Sequence, residues 1–181
     1  AASKALKEAM AMGADDGFLL SDRQFAGADT LATAYTLAQG IQKRGGFDLV
    51  ICGRMATDGD TAQVPPILAE FLGIPCLTDI CQIISADEAL LRCRRMGDDR
   101  YSIWEVKLPA LITVTKEINV PRLPSIAGLR YAAGHPVTTW SAADFPGMDK
   151  ERIGLQGSAT QVKRTFVPKQ EIITRMIGGS P

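Results

Sequence analysis

The run Phe47-Asp-Leu-Val-Ile-Cys-Gly53 constrains this chain more than any other stretch. It is short, continuous and apolar, the pattern of a strand covered on both faces in a parallel sheet. Around it the periodicity alternates. From Ser3 to Met12 the residues Ala5, Leu6, Ala9, Met10 and Met12 recur at helical spacing, and Gly13 ends the helix. A strand over Gly17 to Ser21 follows, then Asp29 caps a helix over Thr30–Arg44, closed by Gly45 and Gly46. Helix, strand, helix, strand is the rhythm of an α/β fold. Parallel sheets are built from strand–helix–strand units, so a pattern opening on a helix leads us to expect N-terminal sequence beyond that given.

Past Gly53 the chain enters a turn and then a helix that begins near Thr61 and runs through Pro-Pro-Ile-Leu-Ala-Glu-Phe-Leu-Gly, stopped by Gly73 and Pro75. The texture then changes. Thr78–Ser85, Ala89–Met96 and Tyr101–Leu108 read as strands of an antiparallel meander, and Leu108–Thr115 returns to the buried-strand pattern. Residues 118–137 mix prolines and glycines with isolated Ile126, Leu129 and Tyr131, and no periodicity is evident from Thr138 onward. The expected layout is an α/β body over 1–137, with an irregular arm over 138–181 packing on a partner.

Twenty basic residues balance twenty acidic ones, which argues against a general nucleic-acid binder. The balance is uneven along the chain: residues 1–119 carry 12 basic and 16 acidic side chains, and 120–181 carry 8 and 4. Four cysteines at 52, 76, 81 and 93 form no C-x-x-C pair and His135 is the only histidine, so zinc-ribbon spacings are absent. No apolar stretch reaches bilayer length, and no signal-type segment opens the chain. The expectation is a cytoplasmic protein with reduced thiols, no metal and no membrane insertion.

The stretch that could carry chemistry is Ile51 to Pro66, leaving the end of a buried strand for a helix, where ligands bind in open α/β sheets. Gly53 and Gly59 permit sharp turns, Asp60 and Thr61 could cap the helix, and helix-start amides suit a phosphate. No G-x-x-x-x-G-K-[ST] or G-x-G-x-x-G is present. If a ligand binds, backbone amides carry most of the recognition, Thr61 donates a hydroxyl and Arg54 supplies charge. The same D-G-D-T is equally a turn-and-cap solution, and Arg54 equally a surface residue. Asp58 and Asp60 make a thin magnesium signal. Cys52 reads as a buried filler, His135 as an exposed turn residue, and Arg92, Arg94 and Arg95 as the solvated face of a hairpin. Trp104 and Trp140 read as core or interface anchors.

Taken together, A-M-A-M-G-A-D at 9–15, D-L-V-I-C-G-R-M-A-T-D-G-D-T-A-Q-V at 48–64, V-K-L-P-A-L-I-T-V at 106–114 and I-N-V-P-R-L-P-S-I at 118–126 resemble the β subunits of electron transfer flavoproteins and their bacterial paralogues. W-S-A-A-D at 140–144 and G-S-A-T-Q-V at 157–162 fit as well. The resemblance implies an open, mainly parallel α/β sheet with flanking helices, of the adenine nucleotide alpha hydrolase-like, Rossmann-like kind. It implies AMP, or a second FAD in electron-bifurcating members, held by Met55, Ala56, Thr57, Asp58, Gly59, Asp60, Thr61, Ala62, Gln63, Val64, Pro65 and Pro66.

The resemblance further implies an α subunit that carries the electron-transferring FAD, and a flavin dehydrogenase met by a recognition loop over 121–131. Ile126 would be the anchor of that loop, beside Pro124 and Leu129. No residue would act catalytically. Family members often have Gly in place of Pro65, and they begin with a strand and a nucleotide-contacting segment before the helix that opens this chain. Two other readings stand beside this one. One is an adenine-nucleotide hydrolase or ligase using the same turn, for which Arg54 and Asp58 are the nearby candidates. The other is a remnant serving only as an assembly surface.

Overall fold

The computed structural model describes residues 2–57 and 59–167. In chain order the elements are α1 (Ala2–Ala11), β1 (Phe18–Leu20), α2 (Thr30–Arg44), β2 (Leu49–Gly53), α3 (Val64–Leu72), β3 (Cys76–Ala86), β4 (Leu90–Met96), β5 (Tyr101–Lys107), β6 (Ala110–Val114), α4 (Ile126–Gly134) and β7 (Thr138–Trp140). Five strands form one open sheet in the order β2-β6-β3-β4-β5, while β1 and β7 pair separately. β6 runs parallel to both β2 and β3, and β4 lies antiparallel between β3 and β5. The expected meander is therefore present. It is not an appendage, because its long first strand is itself a member of the parallel core.

The apolar run of β6 is buried along most of its length, with Leu111 and Ile112 fully excluded from water. One face of β6 packs with Ala34, Ala38, Leu68 and Ala69 of α2 and α3. The other contributes Ala110 and Ile112 to a cluster with Ile80, Leu91, Cys93 and Val106 of the meander. A strand central to the sheet with both faces covered has no polar face to alternate, which is why its sequence reads as a continuous hydrophobic run.

Helix ends follow the sequence signals closely. Asp29 accepts hydrogen bonds from the amides of Leu31 and Ala32 at 3.0 Å, and Lys43 and Arg44 occupy the last turn of α2. Gly73 ends α3 in the left-handed conformation, with φ of 67°. The start of α3 differs from expectation. It begins at Val64 rather than near Thr61, Gln63 stands at the N-cap without a side-chain bond, and neither Asp60 nor Thr61 caps it. Asp60 and Ala62 sit instead at positive φ, 49° and 54°, so the backbone reverses before the helix can begin.

Two segments expected to be irregular are ordered by packing. Residues 126–134 form α4, capped by the Ser125 hydroxyl, which accepts from the Gly128 amide at 3.0 Å. Prolines before it and glycines within it hide the helix from propensity. Gly128 is there for contact: a Cβ would lie 2.1 Å from the Ala11 carbonyl oxygen, so α4 meets α1 backbone to backbone. From Thr138 the chain adds β7 beside β1 and then packs Ala142, Phe145, Met148 and Ile153 around Tyr35. The irregular arm thus begins beyond this region. Residues 159–167 have no regular structure and are exposed.

Candidate functional site

The turn between β2 and α3 lies where the parallel strands end, and a cavity of about 390 Å³ opens beside it. Met55, Ala56, Thr61, Ala62, Gln63, Val64 and Pro65 line the cavity, together with Cys52 and Gly53 at the strand end and Leu68 on α3. Thr33 and Leu37 of α2 complete the wall. These two were not legible as site residues, because only the packing of α2 beside α3 brings them there. Thr57, Gly59, Asp60 and Pro66 belong to the turn or helix without lining the cavity, and Asp58 lies outside the described residues.

Local structure explains the shape. The Asp60 amide bonds to the Ala56 carbonyl at 2.9 Å, closing the turn on itself. The Thr30 hydroxyl lies 3.0 Å from Gln63 Oε1 and ties the first turn of α2 to the start of α3. The helix-terminus argument for anion binding changes in detail. Pro65 and Pro66 have no N–H, so among the first three residues of α3 only Val64 offers an amide, and any further donors come from the preceding loop.

The charge expected from Arg54 is committed elsewhere: its Nε lies 3.0 Å from Asp79 Oδ1, on a bulged stretch of β3. Asp79 takes φ of 61°, and its amide donates to the buried Thr113 hydroxyl at 2.9 Å. Arg95 approaches the other carboxylate oxygen at 4.0 Å and donates to the Thr78 carbonyl. The cavity therefore combines apolar walls with neutral donors. Burial, with a smaller contribution from neighbouring Cys76, pushes the Cys52 thiol above its ordinary value and keeps it protonated and unreactive. Among the described residues, no three His, Cys, Asp or Glu side chains gather as a metal ion requires.

The second expected site is an exposed apolar ridge. Ile126 is 77% exposed and Leu129 54%, one helical turn apart on α4, with Leu123 at 88% just before them. Pro124 is half-buried at the base. His135 ends α4 with its ring stacked on Tyr131 and Nε2 3.2 Å from Asp16 Oδ1, a structural contact rather than a free turn residue. Trp140 packs against Phe18 and Phe145, whereas Trp104 lies on the outer strand β5, 45% exposed.

An open α/β sheet with parallel central strands and a cavity outside their carboxyl ends defines the class of ligand-holding α/β proteins. Within that class the chain belongs to the electron transfer flavoprotein family: the model for the electron transfer flavoprotein domain matches residues 1–145. It is 48% identical over 164 residues to an electron transfer flavoprotein subunit beta of Clostridium acetobutylicum, covering 91% of this chain and 62% of the relative. It is 46% identical to the caffeyl-CoA reductase-Etf complex subunit CarD of Acetobacterium woodii, covering 99% and 68%. To the protein FixA of Bradyrhizobium diazoefficiens it is 39% identical, covering 92% and 60%. The chain thus spans roughly two thirds of the length of the curated relatives it matches. These relatives are named as electron carriers or as subunits of electron-transfer complexes.

Proposed function

We propose that this chain acts as a β-type subunit of an electron transfer flavoprotein. It binds AMP or a second FAD through the turn from Met55 to Pro66, and it pairs in the cytoplasm with an α subunit that carries the electron-transferring FAD. The cavity beside the turn carries this reading. Leu37, Val64, Leu68 and Met55 offer an apolar surface of the kind an adenine ring needs, and the Thr33 and Thr61 hydroxyls with the amides of Ala62 to Val64 offer neutral donors for a phosphate. Because Arg54 is paired with Asp79, the phosphate is held without a dedicated cation.

The ridge of Leu123, Ile126 and Leu129 is the surface offered to a flavin dehydrogenase, since isolated large apolar side chains this exposed favour burial against a partner. The exposed stretch from Gln161 to Val167, with Val162, Phe166 and Val167 open to solvent, reaches the α subunit. Function then comes from placement: this chain's side chains bind and orient, and the bond-making and redox chemistry belongs to the flavins and their partners.

Co-purification tests the proposal. The chain is expressed with its α partner, the complex is denatured, and the released nucleotides are identified. Released AMP with one FAD supports a housekeeping-type subunit, and two FAD per heterodimer supports an electron-bifurcating one. A nucleotide-free complex, or ATP turnover by the isolated chain, overturns the reading.

A further inference from the structure

β1 and β2 are joined by α2, the kind of crossover that links parallel strands of one sheet. They nevertheless belong to separate sheets: β1 pairs only with β7 and β2 only with β6. Each therefore presents a free row of backbone N–H and C=O groups. Between them lies a cleft of about 400 Å³ lined by Phe18, Leu20, Leu49, Ile51 and Trp140, with Ile41 of α2 at its floor.

The sequences of the two strands do not match edge positions. Phe18-Leu-Leu20 and Leu49-Val-Ile-Cys-Gly53 are continuous apolar runs, the signature of central strands. Neither carries the lysine, proline or bulge that natural edges use against unwanted pairing. Ile51, at the middle of β2, is 57% exposed and faces the cleft.

We propose that this cleft receives one further β-strand, apolar on both faces, which pairs with β1 on one side and β2 on the other and fuses the two sheets into the order β7-β1-strand-β2-β6-β3-β4-β5. The occupant is a strand of the same subunit's polypeptide. The matched relatives hold about a third more sequence than this chain aligns with, ample for such a strand. Two facing edges joined by a single crossover helix form a slot, and an internal strand fits it without an intermolecular ordering cost. A second copy of the chain would bring β2 with its own α2 behind it, a bulkier element than a lone strand.

Hydrogen–deuterium exchange read on peptides covering 17–21 and 47–54 tests this, comparing residues 1–181 with the polypeptide as its gene encodes it. The expected result is at least tenfold slower exchange of the β1 and β2 edge amides in the encoded polypeptide, independent of protein concentration. Ile51→Lys is the companion variant: it lowers the melting temperature of the encoded polypeptide by several degrees and leaves that of residues 1–181 nearly unchanged. Equal exchange in the two polypeptides overturns the proposal. So does protection of residues 1–181 that grows with concentration, which would assign the cleft to a second copy, and so does a neutral Ile51→Lys in the encoded polypeptide.

Discussion

Arg54 and Asp79 meet at 3.0 Å, joining the first residue after β2 to a bulge in β3, two strands that are not neighbours in the sheet. The bulge sets Asp79 at φ of 61°, where the register between β3 and β6 shifts, and so turns its carboxylate toward the candidate site. A carboxylate beside a phosphate site is repulsive, and this one also occupies the cation nearest the turn.

Asp79→Asn is therefore expected to tighten AMP binding several-fold, measured by titration calorimetry, because Arg54 is released and the negative charge removed. Asn tolerates the left-handed backbone, and a half-exposed pair contributes little, so stability should move by less than about 1 kcal/mol. Asp79→Val should cost more than the Asn variant in the same melting experiment, since a β-branched residue at that φ is strained. Weaker AMP binding by the Asn variant would show that Asp79 positions Arg54 usefully rather than sequestering it.

Asp29 is the second junction. It caps α2 and also accepts from the amide and hydroxyl of Thr160, at 2.9 and 3.1 Å. Asp29→Ala should lower stability by about 1 kcal/mol, the usual worth of such a cap, in urea melts. It should also make the chain near Thr160 more susceptible to limited proteolysis, whereas Thr160→Val should loosen that segment and leave the cap intact.

Acid should act on the same region. Burial raises the Asp29 carboxyl, but bonds from Ala32, Thr160 and Leu31 outweigh it and hold it below the ordinary 3.8. Asp22 is lowered by the amides of Gln24 and Ala142, and Asp144 by the amide and hydroxyl of Ser141. A carboxyl depressed in the folded state contributes stability above its unfolded value and loses it as pH falls through the folded one. Stability should be flat above about pH 5 and decline below about pH 4, with the 138–145 segment loosening first. Trp140 fluorescence in a Trp104→Phe background reads this directly; a segment that loosens only with the global transition would refute it.

The α4 ridge separates packing from recognition. Gly128→Ala forces a Cβ against the Ala11 backbone and should destabilise by roughly 1–3 kcal/mol. Ile126→Ala removes a side chain already in solvent, so the melting temperature should barely change while electron transfer from the dehydrogenase slows. Unchanged transfer rates in a folded Ile126→Ala complex would move the contact elsewhere.

Much of this was written locally. The β2 run, the Asp29 cap, the Gly73 stop and the three strands from Cys76 to Lys107 are legible because each depends on neighbours within a few residues: burial on both faces, a side chain reaching its own backbone, alternation across one pleat. The turn from Met55 to Pro66 was legible for the same reason, as a break between a buried run and a helix. The start of α3 was not, because the positive φ at Asp60 and Ala62 contradicts what those residues prefer alone.

The sequence by itself thus determined the α/β alternation, the parallel centre, the meander and the place where a ligand cavity could open. Only the tertiary structure decided that α4 is a helix, since Gly128 and the prolines disfavour it until the Ala11 backbone packs against it. Only it placed Thr33 and Leu37 in the cavity wall, paired Arg54 with Asp79, and gathered residues 138–153 around Tyr35. Each of these joins groups distant along the chain, and such contacts exist only once the chain has closed on itself and their combined burial outweighs the entropy of bringing them together.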